Sequence, residues 1–241
     1  MKHENSVLAL VVRWALASSL LVVAACGDSE GEVVVTAYGE DFIELGIVAD
    51  EVGDGWSIDF SSFEVEVEEV EVAGRVFEDL GTVELTVPTD GAGHELSRSA
   101  VDAGEFSGPR YVLGGIHVVG VAERQGVSKS FDWRFPARVA YSNCETTTLV
   151  EEGDTATFEI TVHADHLLYD SLVAEEPSLF FDPIASADGN ADDVITETEL
   201  AEVDIGGYDP GNSGANDMWA YLTALVGNLG HVDGEGHCDA N

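Results

Sequence analysis

Polar and apolar residues alternate from Phe60 to Val72, the period-two pattern of a strand with one buried face. Phe63, Val65 and Val67 fall on odd positions, whereas Val70 and Val72 fall on even ones. One extra residue near Glu68-Glu69 reconciles the halves, so a β-bulge is predicted there. Further strands are predicted at Thr82–Val87, Arg110–Leu113, His117–Ala122, Ser128–Phe135, Val139–Tyr141 and Ala156–Val162, with Gly53-Asp-Gly55 and Gly114-Gly115 as turns. Val101–Tyr111 reads as a turn leading into a return strand. Short strands at this spacing suggest a β-sandwich.

Beyond Cys144 the pattern becomes mixed. Asp165 is placed to cap a short helix from His166 to Leu172. Pro183 opens another short helix, to Ala187. From about Asp217 to Leu229, Trp219, Leu222, Leu225, Val226 and Leu229 share one helical face, and Gly230 stands at the C-cap position. The predicted fold is α+β and mostly β. An N-terminal antiparallel β-sandwich spans 33–143, and a C-terminal mixed unit spans 144–241, with one EF-hand-like loop and a final helix.

That loop is the most specific chemical signal. Asp188 to Glu199 reads D-G-N-A-D-D-V-I-T-E-T-E. A calcium ion needs six to eight oxygens, and this spacing supplies them from Asp188, Asn190 and Asp192, the Val194 carbonyl, Thr196 and Glu199. Ile195 should point into the core, and Thr196 with Glu199 makes a capping box for a helix to about Val203. Asp193 stands where the pattern has glycine, at a cost of about 1 kcal/mol for positive φ. With 47 Asp and Glu in the chain, an acidic loop matching by chance is the plain alternative. The loop is single, which favours a structural clip over a signalling switch.

Residues 1–25 read as a secretion signal, with a basic start and an apolar run to Ala25. Leu21-Val-Val-Ala-Ala-Cys26 resembles a lipobox, which makes Cys26 a lipidation site and 26–32 a lipidated tether; an ordinary signal peptide is the alternative. The expected location is the bacterial cell envelope, lipid-anchored, on the outer membrane facing periplasm or cell surface. Cys144 and Cys238 are then free to pair in an oxidising compartment, closing a loop of about 95 residues and contributing up to about 4–5 kcal/mol. Cys238 as a metal ligand beside His237 is the alternative.

Nine Lys and Arg against 47 Asp and Glu give a net charge of −38. Phosphate backbones are repelled, so nucleic-acid binding is excluded. The hydrophobic fraction of 45% indicates a folded protein with an acidic surface, not an acidic disordered chain.

Four histidines form two clusters, His163 with His166 and His231 with His237. If a Cys144–Cys238 bridge folds the tail back, four imidazoles, joined by Asp165 or Asp170, suit copper or zinc. The plainer alternative is four polar loop histidines that bond backbone groups. His94 and His117 have no partner nearby in sequence.

The segments Ala37–Glu44, Thr161–Asp170, the calcium loop and Gly230–Cys238 together resemble predicted lipoproteins of myxobacteria and related bacteria. The resemblance spans most of the mature chain and implies an envelope location and the calcium loop, without an activity. Three functions follow, in order. The first is a calcium-clipped envelope lipoprotein with a binding or structural role, its partners the membrane and an envelope protein or polysaccharide. The second is a periplasmic copper- or zinc-binding protein. The third is an enzyme, although G-x-S-x-G, H-E-x-x-H and phosphate-binding glycine loops are absent and no catalytic residue is assigned.

Overall fold

The computed structural model describes residues 29–136 and 138–241. The expected leader and Cys26 lie outside the described residues. The strands are β1 (Glu30–Tyr38), β2 (Ser57–Val72), β3 (Arg75–Glu84), β4 (His94–Asp102), β5 (Gly104–Ser107), β6 (Arg110–Arg124), β7 (Val127–Phe135), β8 (Val139–Ser142), β9 (Thr147–Val150), β10 (Thr155–Val162), β11 (Val194–Ile195), β12 (Gly230–Val232) and β13 (Asp239–Ala240). The helices are short: α1 (Glu40–Glu44), α2 (Asp182–Ala185), α3 (Glu197–Leu200) and α4 (Met218–Leu225). The fold is α+β and mostly β, as the pattern predicts.

One sheet runs β12-β10-β1-β4; a larger one runs β11-β7-β6-β2-β3, with β8 on β6 and β13 on β8. Both contribute to one hydrophobic core. Strand β1 lies between β10, parallel, and β4, antiparallel. Its Val33, Val34, Val35, Thr36 and Ala37 are all buried, as expected for a central strand covered on both faces. Glu30–Glu32, expected in the tether, already belong to β1, because they pair with Asp102, Val101 and Ala100. Strands on the two sides of residue 143 also pair with one another: β9, β10, β11 and β13 pair with β5, β1, β7 and β8, and β12 extends the smaller sheet on β10.

The bulge in β2 is present. Its register slips between Val67 and Glu69 against both β3 and β6, and Phe63, Val65, Val67, Val70 and Val72 are all buried. The Gly114-Gly115 turn is not. Strand β6 runs unbroken through both glycines. A Cβ on Gly114 would come within 2.7 Å of the Glu68 carboxylate, so glycine serves a close approach beside the bulge. The helix expected over His166–Leu172 is a 3₁₀ turn at Asp165–Leu168 without a side-chain cap. The final helix is capped by Asp217, which accepts from the Ala220 N–H at 2.9 Å. It gives way to a 3₁₀ turn at Val226–Asn228, and Gly230 opens β12 instead of capping the helix. A Cβ on Gly230 would lie 2.5 Å from the Tyr111 hydroxyl, so this glycine lets the chain press against two stacked tyrosines, Tyr111 and Tyr141.

At the end of β3, Glu84 ties β2 to the chain that follows. Its carboxylate accepts from the Phe63 N–H (2.8 Å), the Ser62 hydroxyl (2.6 Å), and the Thr86 N–H and hydroxyl (3.1 and 2.9 Å). Burial pushes its pKa up, but these four donors outweigh burial and hold it below the ordinary glutamate value. A depressed carboxylate stabilises the fold above its unfolded pKa, about 4.3, and that contribution fades as pH falls through the folded value. Glu84→Gln is therefore expected to lower stability at pH 7 by about 1–3 kcal/mol. In urea unfolding the gap from wild type should shrink below pH 4; a gap that is constant with pH would contradict this role.

Candidate metal centre

The end of β10 sets up the centre. His163 follows Val162 directly, and its N–H donates to the Leu229 carbonyl at 3.0 Å. The 3₁₀ turn at Asp165–Leu168 then brings His166 back over it. From the other side, β12 pairs antiparallel with β10 and sets His231 opposite Thr161. Tyr111 holds this strand by donating to the His231 carbonyl at 3.2 Å. Cys144 and Cys238 are bonded, with sulfurs 2.06 Å apart, and tether the tail that follows. The tail is also pinned by Val232 and Gly236, which exchange two hydrogen bonds of 2.9 Å.

Four rings meet as a result. His163 lies 4.8 Å from His166 and 4.3 Å from His231 between centroids; His166 is 5.1 Å and His237 5.0 Å from His231. His163, His166 and His231 are only 4, 8 and 6% exposed, whereas His237 and Glu235 are exposed. Among the described residues, two sets of ligating atoms lie within 4.8 Å of one another: His163, His231 and Glu235, and His163, Asp165 and His166. His163 belongs to both.

The hydrogen bonds leave ring nitrogens for a ligand. His163 Nδ1 pairs with Glu40 at 2.9 Å, a carboxylate–histidine arrangement that orients a metal-binding ring. Its Nε2 donates to the Gly234 carbonyl at 3.3 Å, a bond that a metal at this nitrogen would have to replace. His166 Nδ1 donates to the Asn228 carbonyl at 2.6 Å, which leaves Nε2 as the lone-pair nitrogen. His231 Nδ1 and Asp165 Oδ1 are buried with no hydrogen-bond partner among the described residues. Native interiors rarely leave such atoms unpaired, and an ion is one of the few explanations. Glu40 itself sits at φ +40°, a conformation that side-chain-bearing residues avoid.

Burial keeps two of the rings neutral. Burial pushes His166 down to about 4, and burial with the neighbouring His163, His166 and His237 does the same to His231. Neutral imidazole is the ligand form. Burial also lowers His163, but the Glu40 bond and charge outweigh it and raise the ring overall. Burial raises Asp165 to about 6. Each of the two sets joins two imidazoles to a carboxylate, donors that could hold zinc or copper, and His163 is common to both.

The chain thus forms a mostly-β α+β protein with a buried histidine cluster at one sheet edge. No family model, curated protein or solved structure matches it.

Of the residues singled out in the sequence, His163, His166, His231 and His237 come together and Asp165 joins them. Asp170 does not; it accepts from the Ser178 N–H at 2.9 Å. His94 bonds the Val87 carbonyl, and His117 lies between Glu64 and Asp132 at 3.0 and 2.8 Å. Glu40, Glu235 and Asn228 were not legible as site residues: Glu40 is far from the histidines in sequence, Asn228 acts through its backbone carbonyl, which residue type does not reveal, and Glu235 was one acid among 47.

The EF-hand-like loop lies elsewhere, against β7. Ile195 is fully buried, Asp193 takes φ +65°, and the Thr196–Glu199 capping box is formed. Its oxygens are engaged within the protein. Asp188 and Asp193 contact Lys129 Nζ at 2.5 and 2.8 Å, Asn190 accepts from the Asp192 N–H, and Asp192 accepts from the Val194 N–H. Glu199 accepts from Thr196 at 2.8 and 3.1 Å. The Lys129 ammonium, through its hydrogen bond, holds the Asp188 carboxyl below its usual range. A calcium ion in this loop would have to compete with that lysine. Lys129→Met is expected to lower the melting temperature in a chelator by several degrees and to enlarge the upward shift that calcium gives. Equal calcium shifts in variant and wild type, by differential scanning calorimetry, would show that Lys129 does not occupy a calcium position.

Proposed function

We propose that this protein binds a copper or zinc ion through His163, His166 and His231, with Asp165, Glu235 and His237 within reach, and that it sequesters or delivers the ion outside the cytoplasm. The observation that carries the reading is the buried, unpartnered Nδ1 of His231 among three converging imidazoles. The leader-like residues 1–25, the lipobox-like segment ending at Cys26 and the paired cysteines support an envelope location with a lipid anchor. A second reading, calcium as a structural clip at Asp188, Asn190, Asp192, Val194, Thr196 and Glu199, is supported by the positive φ of Asp193 and the buried Ile195. The two sites are separate and compatible. An envelope protein or polysaccharide remains the proposed partner class for the calcium reading.

Calorimetric titration of the soluble domain with zinc and with copper tests the metal centre. Wild type should take up one ion with Kd below about 1 μM, and His163→Ala/His231→Ala should bind at least 100-fold more weakly, about 2.7 kcal/mol. Glu40→Gln keeps all three imidazoles and should cost about 10–100-fold by loosening His163. If wild type binds neither metal better than the double alanine variant, while all three melt cooperatively, the reading is wrong.

A further inference from the structure

The histidine cluster is buried on one side only. A cavity of about 470 Å³ opens onto it, lined by His166, His231, Glu235 and His237 at the cluster and by Tyr169 and Leu172 farther out. His163 is not among the lining residues; it lies behind the other rings. An ion held by His163, His166 and His231 would therefore have protein on one side and the cavity on the other. Structural metal sites are closed by four protein ligands, whereas exchangeable and catalytic ones keep a position open.

The cavity wall states what could fill that position. Glu175, Glu235 and Asp239 line it, and no Lys or Arg does. The whole chain carries −38. Acidic walls raise the cost of an anion and favour neutral or cationic ligands. The wall also offers Leu172, Ala174 and Pro177, apolar surface suited to a flat ring. An imidazole already stands at the mouth: exposed His237, whose ring is 5.0 Å from that of His231.

Resting on the metal-binding reading, we infer that the centre keeps an exchangeable position facing this cavity, and that the position takes an external imidazole in preference to an anion, in competition with His237. The shared chemistry is a neutral aromatic nitrogen donor. It can come from a free small molecule or from a histidine side chain on a peptide.

The test uses the cobalt(II)-loaded protein, whose visible spectrum reports ligand exchange. Imidazole, azide and a terminally blocked Gly-His-Gly peptide are titrated separately. Imidazole should change the spectrum and saturate at a concentration at least tenfold below azide. His237→Ala should bind imidazole several-fold tighter, because the internal competitor is gone. Glu175→Gln, which leaves every proposed ligand in place, should narrow the imidazole-to-azide ratio at least twofold. A peptide that matches imidazole assigns the source as a protein side chain; one that fails where imidazole succeeds assigns a small molecule. A spectrum unmoved by imidazole, or azide binding as tightly as imidazole, overturns the proposal while leaving the metal site intact. If wild type takes up no cobalt, zinc or copper, the metal site itself falls, and this inference with it.

Discussion

The centre depends on one constraint, the return of the C-terminal tail to the edge of the smaller sheet. Strand β12 has only three residues, and its pairing with β10 is what sets His231 against His163 and His166. So short a strand would not hold by its ladder bonds alone. Gly230 lets it press on Tyr111 and Tyr141, and the Cys144–Cys238 bond closes the tail beyond it. A cross-link over 94 residues restricts the unfolded chain strongly, so the tail's return costs less entropy at folding. The same bond keeps His237 and Glu235 near the cluster, and both line the cavity.

Charge is distributed to fit that centre. The surface is acidic, yet the cluster buries neutral imidazoles, and burial is the main reason that His166 and His231 resist protonation. Three rings packed together leave the buried Nδ1 of His231 without a partner among the described residues. An ion would satisfy that nitrogen, and an acidic exterior concentrates cations near its entrance. The calcium-like loop follows the opposite plan, since Lys129, one of nine basic residues, supplies a positive charge from within the chain.

Much of the fold could be read from residue pattern. The period-two alternation located β2, and its change of phase located the bulge between Val67 and Glu69. The capping box at Thr196 and the helix beginning at Asp217 were local signals with local outcomes. What escaped was non-local. Glycine at Gly114 and Gly230 was read as a turn and a cap, but each answers to a side chain distant in sequence, Glu68 and Tyr111 respectively. Strand pairing across residue 143 carries no local mark, because β1 and β10 are joined in parallel over more than a hundred residues of chain. The four histidines were visible as two pairs, but their meeting depended on the tail's return. Glu40, which orients His163, could not be told from any other surface acid.

X-ray absorption at the zinc edge, with anomalous diffraction from the same zinc-loaded protein, tests the central claim most directly. One zinc bonded to imidazole nitrogens at about 2.0–2.1 Å, with its anomalous peak among His163, His166 and His231, is the predicted result. An all-oxygen shell, or a peak on surface carboxylates or the Asp188–Glu199 loop with none at the histidines, would contradict it.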